Sequence, residues 1–429
     1  MSTLTESQRS SNGDEHSSVH SPRCRFCNSM LRTTFIDLGM SPLCQTHITT
    51  EQLNQVESFY PLRAYVCGNC YLVQLEQFVA PSDIFTDYAY LSSYSDTWVE
   101  HARRYVDSMQ ERFGVNSSSL VTEIASNDGY LLQHFAAAGI PVLGVEPAAN
   151  VALVAQRKGI RTTVEFFGAA SAEQIRRTFG QPDLLLGNNV LAHVPDINDF
   201  VSGMKLLLKP GGVITMEFPH LMQLMQQNQF DTIYHEHFSY LAFFVVEAIF
   251  RHHGLRLFDV EELSTHGGSL RIYACHDDDE QKPVRPAVRQ LRETEVNYGL
   301  NRLATYGHFE EGVKETKRSI LDFMIRTKRE GKRIVGYGAP GKGNTLLNYC
   351  GIRTDFLDFT VDRNPLKQGK YTPGTHIPIL SPDAIRESRP DYIFILPWNL
   401  KDEISTSLSY ARDWGARFVV PIPKLSVLA

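Results

Sequence analysis

Short apolar runs alternating with helix-length amphipathic stretches constrain this chain more than any other feature. Leu120-Val121-Thr122-Glu123-Ile124 ends in the small-residue turn Ala125-Ser126-Asn127-Asp128-Gly129, with a helix expected from about Tyr130. Val142-Leu143-Gly144-Val145 ends on Glu146, and Asp183-Leu184-Leu185-Leu186-Gly187 ends on Asn188 and Asn189. Leu208-Lys209-Pro210-Gly211-Gly212 then turns into a strand at 213–218. Strands joined through helices lie parallel, so the pattern predicts an α/β fold with a mostly parallel, doubly wound sheet. Ligands of such sheets sit at the C-terminal strand ends.

The pattern returns near the C-terminus. Arg333-Ile334-Val335-Gly336-Tyr337 runs into Gly338-Ala339-Pro340-Gly341-Lys342-Gly343, and further strands are expected at 359–362 and 392–396. Residues 284–330 are charged and helical in pattern, a bridge between the two units. Upstream, Tyr88, Tyr90 and Tyr94 with Ser92, Ser93 and Ser95 precede a helix expected at 97–112. The expected organisation is a Ser-rich disordered tail at 1–22, a cysteine-bearing module at 23–85, an α/β domain at 86–283 and a smaller α/β domain at 284–429.

Seven cysteines, an odd number, do not suit a pure disulfide framework. Cys24-x-x-Cys27 and Cys67-x-x-Cys70 form two knuckles able to supply four thiolates to one tetrahedral zinc. Residues 28–66 exceed the gap of a compact zinc ribbon, so they must form strands or loops of their own. A redox-active pair is the competing reading, but no thioredoxin-like pattern surrounds either knuckle. Four thiolates leave no open coordination position, which makes the expected metal structural. Cys44 lies between the knuckles as a spare, while Cys275 and Cys350 read as ordinary buried thiols.

Forty-two basic against 48 acidic residues give a formal charge of −6, which argues against a generic nucleic-acid or anionic-membrane surface and leaves a local basic pocket open. No apolar run approaches the roughly 20 residues needed to span a bilayer. The polar start carries no secretory signal, so a cytoplasmic monomer is expected.

The first α/β domain has the parts of a class I S-adenosylmethionine site. A small-residue turn at 123–129 lets backbone approach a ligand, and Glu146 with Pro147 closes the next strand, where an acid can accept from ribose hydroxyls. Asn188 and Asn189 would border the same ligand. Ala125 and Asn127 stand where glycines are usual. A generic dinucleotide site is the alternative. In the C-terminal domain, Gly336-x-Gly338-x-x-Gly341 satisfies a dinucleotide fingerprint with Asp362 near the next strand end, and 336–342 matches most of a P-loop. Gly343 replaces the hydroxyl that would hold magnesium. Both readings share a physical core: free N–H groups, a helix N-terminus and Lys342 make a phosphate cradle. The turn Thr265-His266-Gly267-Gly268-Ser269-Leu270-Arg271 would line the same cleft, or be a plain hairpin loop with Arg271 on a strand.

Tyr234-His235-Glu236-His237 places four proton-transfer or metal-binding side chains in succession. A metalloprotease helix needs histidines four apart. Here they are two apart, which on a strand would put His235 and His237 on one face and Glu236 on the other. Proton transfer is the remaining chemical reading; a partly solvated loop would explain the same residues without chemistry.

The two knuckles, Glu123-Ile124-Ala125-Ser126-Asn127-Asp128-Gly129-Tyr130, Tyr234-His235-Glu236-His237-Phe238-Ser239-Tyr240, Gly267-Gly268-Ser269-Leu270-Arg271 and Gly336-Tyr337-Gly338-Ala339-Pro340-Gly341-Lys342-Gly343-Asn344 together resemble the zinc-containing, S-adenosylmethionine-dependent sugar C-methyltransferases. The resemblance runs from about Cys24 to the C-terminus. It implies an N-terminal zinc domain, a class I methyltransferase domain binding S-adenosylmethionine, and a Rossmann-like C-terminal domain. The last would hold the nucleotide diphosphate of a 4-keto deoxysugar, methylated at C-3. Tyr234, Glu236, His237 and His193 would be active-site groups. His237 is the expected base, with Tyr234 the alternative base or enolate donor, and Glu236 and His193 orienting groups or sugar ligands. Glu123, Ala125, Ser126, Asn127, Asp128, Gly129, Glu146, Pro147, Asn188 and Asn189 would hold the cofactor. Gly338, Lys342, Gly343, Asn344, His266 and Arg271 would hold the substrate. Cys44 stands where the family more often carries alanine. The competing functions are an NAD-dependent nucleotide-sugar oxidoreductase, methyl transfer to another carbon or to oxygen, and a non-enzymatic zinc scaffold.

Overall fold

The computed structural model describes residues 22–85 and 91–428; Tyr88 and Tyr90 lie outside them. Strands β1 (Thr33–Ser41), β2 (Tyr60–Val66) and β3 (Val73–Leu75) form an antiparallel sheet. The first knuckle precedes β1 and the second is the turn between β2 and β3. Sequence patterning did not place these strands individually, because register shifts break the β1–β2 pairing and β3 spans only three residues.

Helix α1 (Asp96–Phe113) opens the next domain. Its start is set by Ser95, whose side chain accepts from the Trp98 N–H, and its end by Gly114 at φ 65°. Ala102, Tyr105, Val106 and Met109 recur at helical spacing and are buried. Strands β4 (Val121–Ile124), β5 (Val142–Val145), β6 (Thr162–Thr163), β7 (Leu184–Asn188) and β8 (Val213–Pro219) follow. The short β9 (Ser239–Tyr240) leaves this domain and adds itself to β3 as the fourth strand of the N-terminal sheet. Strands β10 (Leu255–Leu263) and β11 (Ser269–His276) form a hairpin. The seven-stranded order is β10-β11-β8-β7-β4-β5-β6, parallel from β8 to β6, with β11 antiparallel to both neighbours. This is the expected class I methyltransferase sheet. Of the two readings of 265–271, the hairpin loop holds: the segment joins β10 to β11, with Arg271 on β11.

The charged bridge is built mainly from two helices, α2 (Pro286–Tyr298) and α3 (Phe309–Arg329), with the single turn Leu303–Tyr306 between them. Acids Glu310 and Glu311 open α3, and Arg326, Lys328 and Arg329 close it, each complementing the helix dipole. On α2, the fully buried Glu295 accepts from His220 (2.7 Å) and from the N–H groups of Phe243 and Phe244, capping the helix Phe243–His252 from outside. The last domain has β12 (Ile334–Tyr337), β13 (Thr360–Val361), β14 (Ile379–Leu380), β15 (Tyr392–Ile395), β16 (Arg417–Val420) and β17 (Ser426–Leu428), ordered β14-β13-β12-β15-β16-β17 and parallel except for β17. Helix α4 (Gly341–Cys350) follows β12, as the glycine-rich turn predicts. Among the described residues, no helix is long and apolar enough to cross a membrane.

Candidate active site

The three sheets converge on a cavity of about 730 Å³ that opens over the C-terminal ends of the methyltransferase strands, within the usual range of ligand clefts. Its walls come from all three domains: Gln45 from the first, Asn127, Glu146 and His237 from the second, Lys342 and Asn399 from the third.

At one end lies the expected cofactor loop. Ala125 (φ 56°), Asn127 (φ 49°) and Asn189 (φ 56°) all occupy the left-handed region that favours glycine. The loop thus keeps the path of a glycine-rich turn with other residues in it. Asn127 tolerates this conformation and is held by the Ser92 N–H, which donates to its Oδ1 at 2.8 Å. Glu146 accepts the N–H of Asn127 (2.9 Å) and of Ala148 (2.9 Å), and it retains further lone pairs toward the cavity. Burial raises its pKa, and those two N–H donors oppose the rise. Pro147, Asn188, Trp98 and Tyr130 complete this end.

The other loop residues do not reach the cavity. Ser126 packs under β5, where a Cβ on Gly144 would meet its hydroxyl, and Gly129 at φ 75° turns the chain against Ile160. Asp128 pairs with Lys158 at 3.0 Å. Glu123 is fully buried and neither carboxyl oxygen has a partner among the described residues; burial, then Glu146 and Asp128, push its pKa well up. The Glu146 carboxylate and the unpartnered Asn189 Oδ1, both on the cavity wall, suit a ligand rich in donors, such as an ammonium group and two ribose hydroxyls.

Opposite this end stands Tyr234-His235-Glu236-His237. It is a turn closed by the His237 N–H on the Tyr234 carbonyl (2.9 Å), so the two histidines do not share a face as they would on a strand. The turn sends Tyr234, Glu236 and His237 into the cavity. His235 faces away, beside the Pro61 carbonyl and against Tyr60. His237 Nδ1 lies 2.8 Å from the Thr232 carbonyl. A carbonyl only accepts, so Nδ1 carries the proton and Nε2 is left as the basic nitrogen. Burial, then His193, hold the His237 pKa well below the ordinary histidine range. His193 stands edge-on to His237, ring centroids 4.7 Å apart, and the Tyr234 ring lies 4.0 Å from it. Desolvation pushes His193 down to about 4, the Glu236 backbone opposing. The Cys44 thiol donates to Glu236 Oε1 at 3.3 Å.

The third wall is the turn before α4. Lys342 bonds Asn399 Oδ1 (2.9 Å) and lies 4.5 Å over the Trp398 ring. Trp398 in turn donates to the fully buried Asp231 at 2.7 Å. Desolvation, opposed by Lys342, pushes Asp231 up to about 6. Lys367 reaches the same wall and donates to the Ala339 carbonyl. Of the other residues expected to hold substrate, only His266 lines the cavity, with Nε2 3.1 Å from Asn189 Nδ2. Gly338, at φ 88°, has no room for a Cβ beside Pro397, and Gly343 packs on Leu396. Asn344 donates to the Cys44 carbonyl, and Arg271 is buried in an ion pair with Glu217 (2.7 Å). These four belong to the frame of the cavity and not to its surface. Trp98, Lys367, Gln45 and Asn399 were missed, since their sequence neighbourhoods carry no motif.

At the far edge of the N-terminal sheet, the sulfurs of Cys24, Cys27, Cys67 and Cys70 all lie within 4.8 Å of one another. Two pairs stand 3.5 Å apart, close to the ~3.8 Å that a tetrahedron with Zn–S bonds of about 2.3 Å requires. The donor set fits zinc with no position left for substrate.

Fold and site together define a zinc-binding, S-adenosylmethionine-dependent methyltransferase. Family models agree: residues 24–85 match a "Putative zinc binding domain", 98–260 a "Methyltransferase domain" and 264–423 a "C-methyltransferase C-terminal domain". The chain is 36% identical over 406 residues to C-methyltransferase NovU of Streptomyces niveus, covering 95% of this chain and 96% of that one. It belongs to the C-methyltransferase family. A 106-residue stretch, 24% of this chain, is 30% identical to ubiquinone biosynthesis O-methyltransferase of Bordetella avium, of which it covers 44%. Among solved structures, the CcbJ methyltransferase from Streptomyces caelestis aligns over 42% of this chain and 89% of its own, with 11% identity and a TM-score of 0.33.

Proposed function

We propose that the protein methylates a carbon next to a ketone on a nucleotide-linked 4-keto deoxysugar, at C-3, by forming an enolate at His237. The observation that carries this reading is the His237 tautomer: Nδ1 tied to the Thr232 carbonyl and Nε2 free to take a proton, in a cavity that also holds a tyrosine hydroxyl. A C–H beside a ketone is acidified because the anion delocalises onto oxygen, so the chain must supply a base and a donor to the forming enolate. Neutral His237 is present as base even in mildly acid solution, because its pKa is held low. Tyr234 stacks on that imidazole and is placed as the enolate donor, or as the base in its stead. Glu236 and His193 frame the sugar. Bound S-adenosylmethionine supplies an electrophilic methyl group. The chain's contribution to transfer is position: Glu146 and the His237 turn line one cavity, so cofactor and substrate are held side by side.

Lys342, with Asn399 and the α4 N-terminus behind it, suits a diphosphate, and Lys367, from the segment between β13 and β14, adds a second cation beside that turn. Against an NAD site on this turn stands the match of the chain to C-methyltransferases along nearly its whole length. The decisive experiment is His237→Asn, with solvent-deuterium exchange at the carbon beside the ketone and methyl transfer measured on 4-keto nucleotide sugars. Loss of both by 100-fold or more is expected, with S-adenosylmethionine affinity unchanged. Full turnover by the variant would refute the assignment.

A further inference from the structure

Arg25 lies between zinc-site cysteines Cys24 and Cys27, yet its guanidinium points out of the knuckle toward the active cavity. One terminal nitrogen donates to the Pro195 carbonyl and the other to the Leu75 carbonyl. Its carbon sits 5.4 Å from the Phe238 ring centroid. Pro195 is two residues beyond His193, and Phe238 is the residue after His237. The loops are also tied back to the knuckle. Asn198 Nδ2 donates to the carbonyls of Arg25 (3.1 Å) and Phe26 (3.0 Å), and the Leu75 N–H donates to the Phe238 carbonyl (3.0 Å). Gln74 accepts the Arg25 backbone N–H at 2.9 Å and brings its Nε2 to 3.2 Å from Cys24 Sγ. Its own Cα is paired with Ser239, two residues from His237.

A buried guanidinium is costly to desolvate unless its donors are satisfied and its frame is rigid. Among the described residues Arg25 makes no ion pair within 4 Å, and its Nε has no partner. A surface arginine needed only for solubility would not be held this way, and a zinc knuckle needs no such arm to bind its metal. The arm makes sense as a strut.

We infer that Arg25 is a positioning residue, a strut from the zinc knuckle to the two loops that set His193 against His237. The structural metal thereby helps define the geometry of the imidazole pair, through protein bonds and at a distance from any chemistry. The catalytic consequence rests on the enolate reading above; the geometric claim does not.

The test uses the full-length zinc-loaded protein with Arg25→Met and Arg25→Lys. Zinc per chain, S-adenosylmethionine affinity, kcat and KM are measured. The ¹⁵N-imidazole signals of His193 and His237 are assigned with His193→Gln and His237→Asn. Arg25→Met is expected to keep one zinc per chain and cofactor affinity within twofold. It should move both imidazole signals and lower kcat more than tenfold with little change in KM. Arg25→Lys, which keeps a charge and one usable donor, should fall between, and it carries the test if the methionine variant fails to fold. Wild-type imidazole signals in a zinc-replete variant would overturn the inference. So would an activity loss that tracks zinc loss, with the loaded fraction fully active. Shifted signals alongside a wild-type enzyme inert toward every keto sugar would sink the enolate reading and leave the strut standing.

Discussion

His193 offers a measurement of how dry the proposed catalytic end of the cavity is. Its pKa is pushed from 6.5 down to about 4, chiefly by desolvation. At pH 5.5 the unfolded chain therefore binds a proton at this position and the native chain does not. The folded-state value is depressed, so the contribution to stability is present in full above about pH 6.5. It is lost as pH falls through the window from 6.5 to 4. Between pH 7.5 and 5.5 a shift of this size is worth roughly 1 to 2 kcal/mol. Part of the ring faces the cavity, where water reaches it, so the lower end applies. Other buried groups titrate over the same range, Asp231 with the opposite sign. The measurement must therefore be a difference. Urea unfolding of wild type and His193→Gln at both pH values isolates the one group. The wild-type advantage over the variant should shrink by roughly 1 kcal/mol on going from pH 7.5 to 5.5. An advantage that is constant, or that grows in acid, would show that His193 is solvated and protonated in the native state. The neutral imidazole pair would then fall with it.

Two further outcomes concern the cofactor end. Glu146→Gln keeps an acceptor oxygen for only one of the Asn127 and Ala148 N–H groups, sets an amide nitrogen against the other and loses the charge; it should weaken S-adenosylmethionine binding by about tenfold or more, since bonds to charged groups are worth roughly 1.5–3 kcal/mol. Calorimetry giving an affinity within twofold of wild type would remove Glu146 from the ligand. Ala125→Gly should stabilise the chain by about 1 kcal/mol, because an L-residue at φ 56° carries a penalty of roughly 1–2 kcal/mol that glycine avoids, less its greater unfolded entropy. A variant less stable than wild type in urea would mean the Ala125 methyl earns its place by packing.

Much of the architecture was legible in the chain. Strand runs ending at Ile124, Val145 and Asn188 are local patterns, and the two CxxC knuckles carry their own geometry. The glycine-rich turn before α4 likewise announces a helix N-terminus without any tertiary context. Where patterning misled, non-local contacts had decided. On a strand His235 and His237 would share a face, but the run is a turn, bounded by the Thr232 carbonyl and the β3–β9 pairing, that turns His235 away. Arg271 reads as a ligand of anionic substrate, but Glu217 from β8 neutralises it.

What the sequence alone determined is the set of parts: four thiolates, a small-residue loop with an acid at the next strand end, the Tyr234–His237 run, and a glycine-rich turn carrying Lys342. Each is encoded within a few residues, where spacing fixes geometry. Their relation was decided only by tertiary structure. Lys342 lies on the same cavity as His237 although more than a hundred residues separate them, and Glu146 faces both from another strand end. The proton state of His237 depends on desolvation by three domains and on one carbonyl. No local pattern records either, because burial is a property of everything that surrounds a side chain.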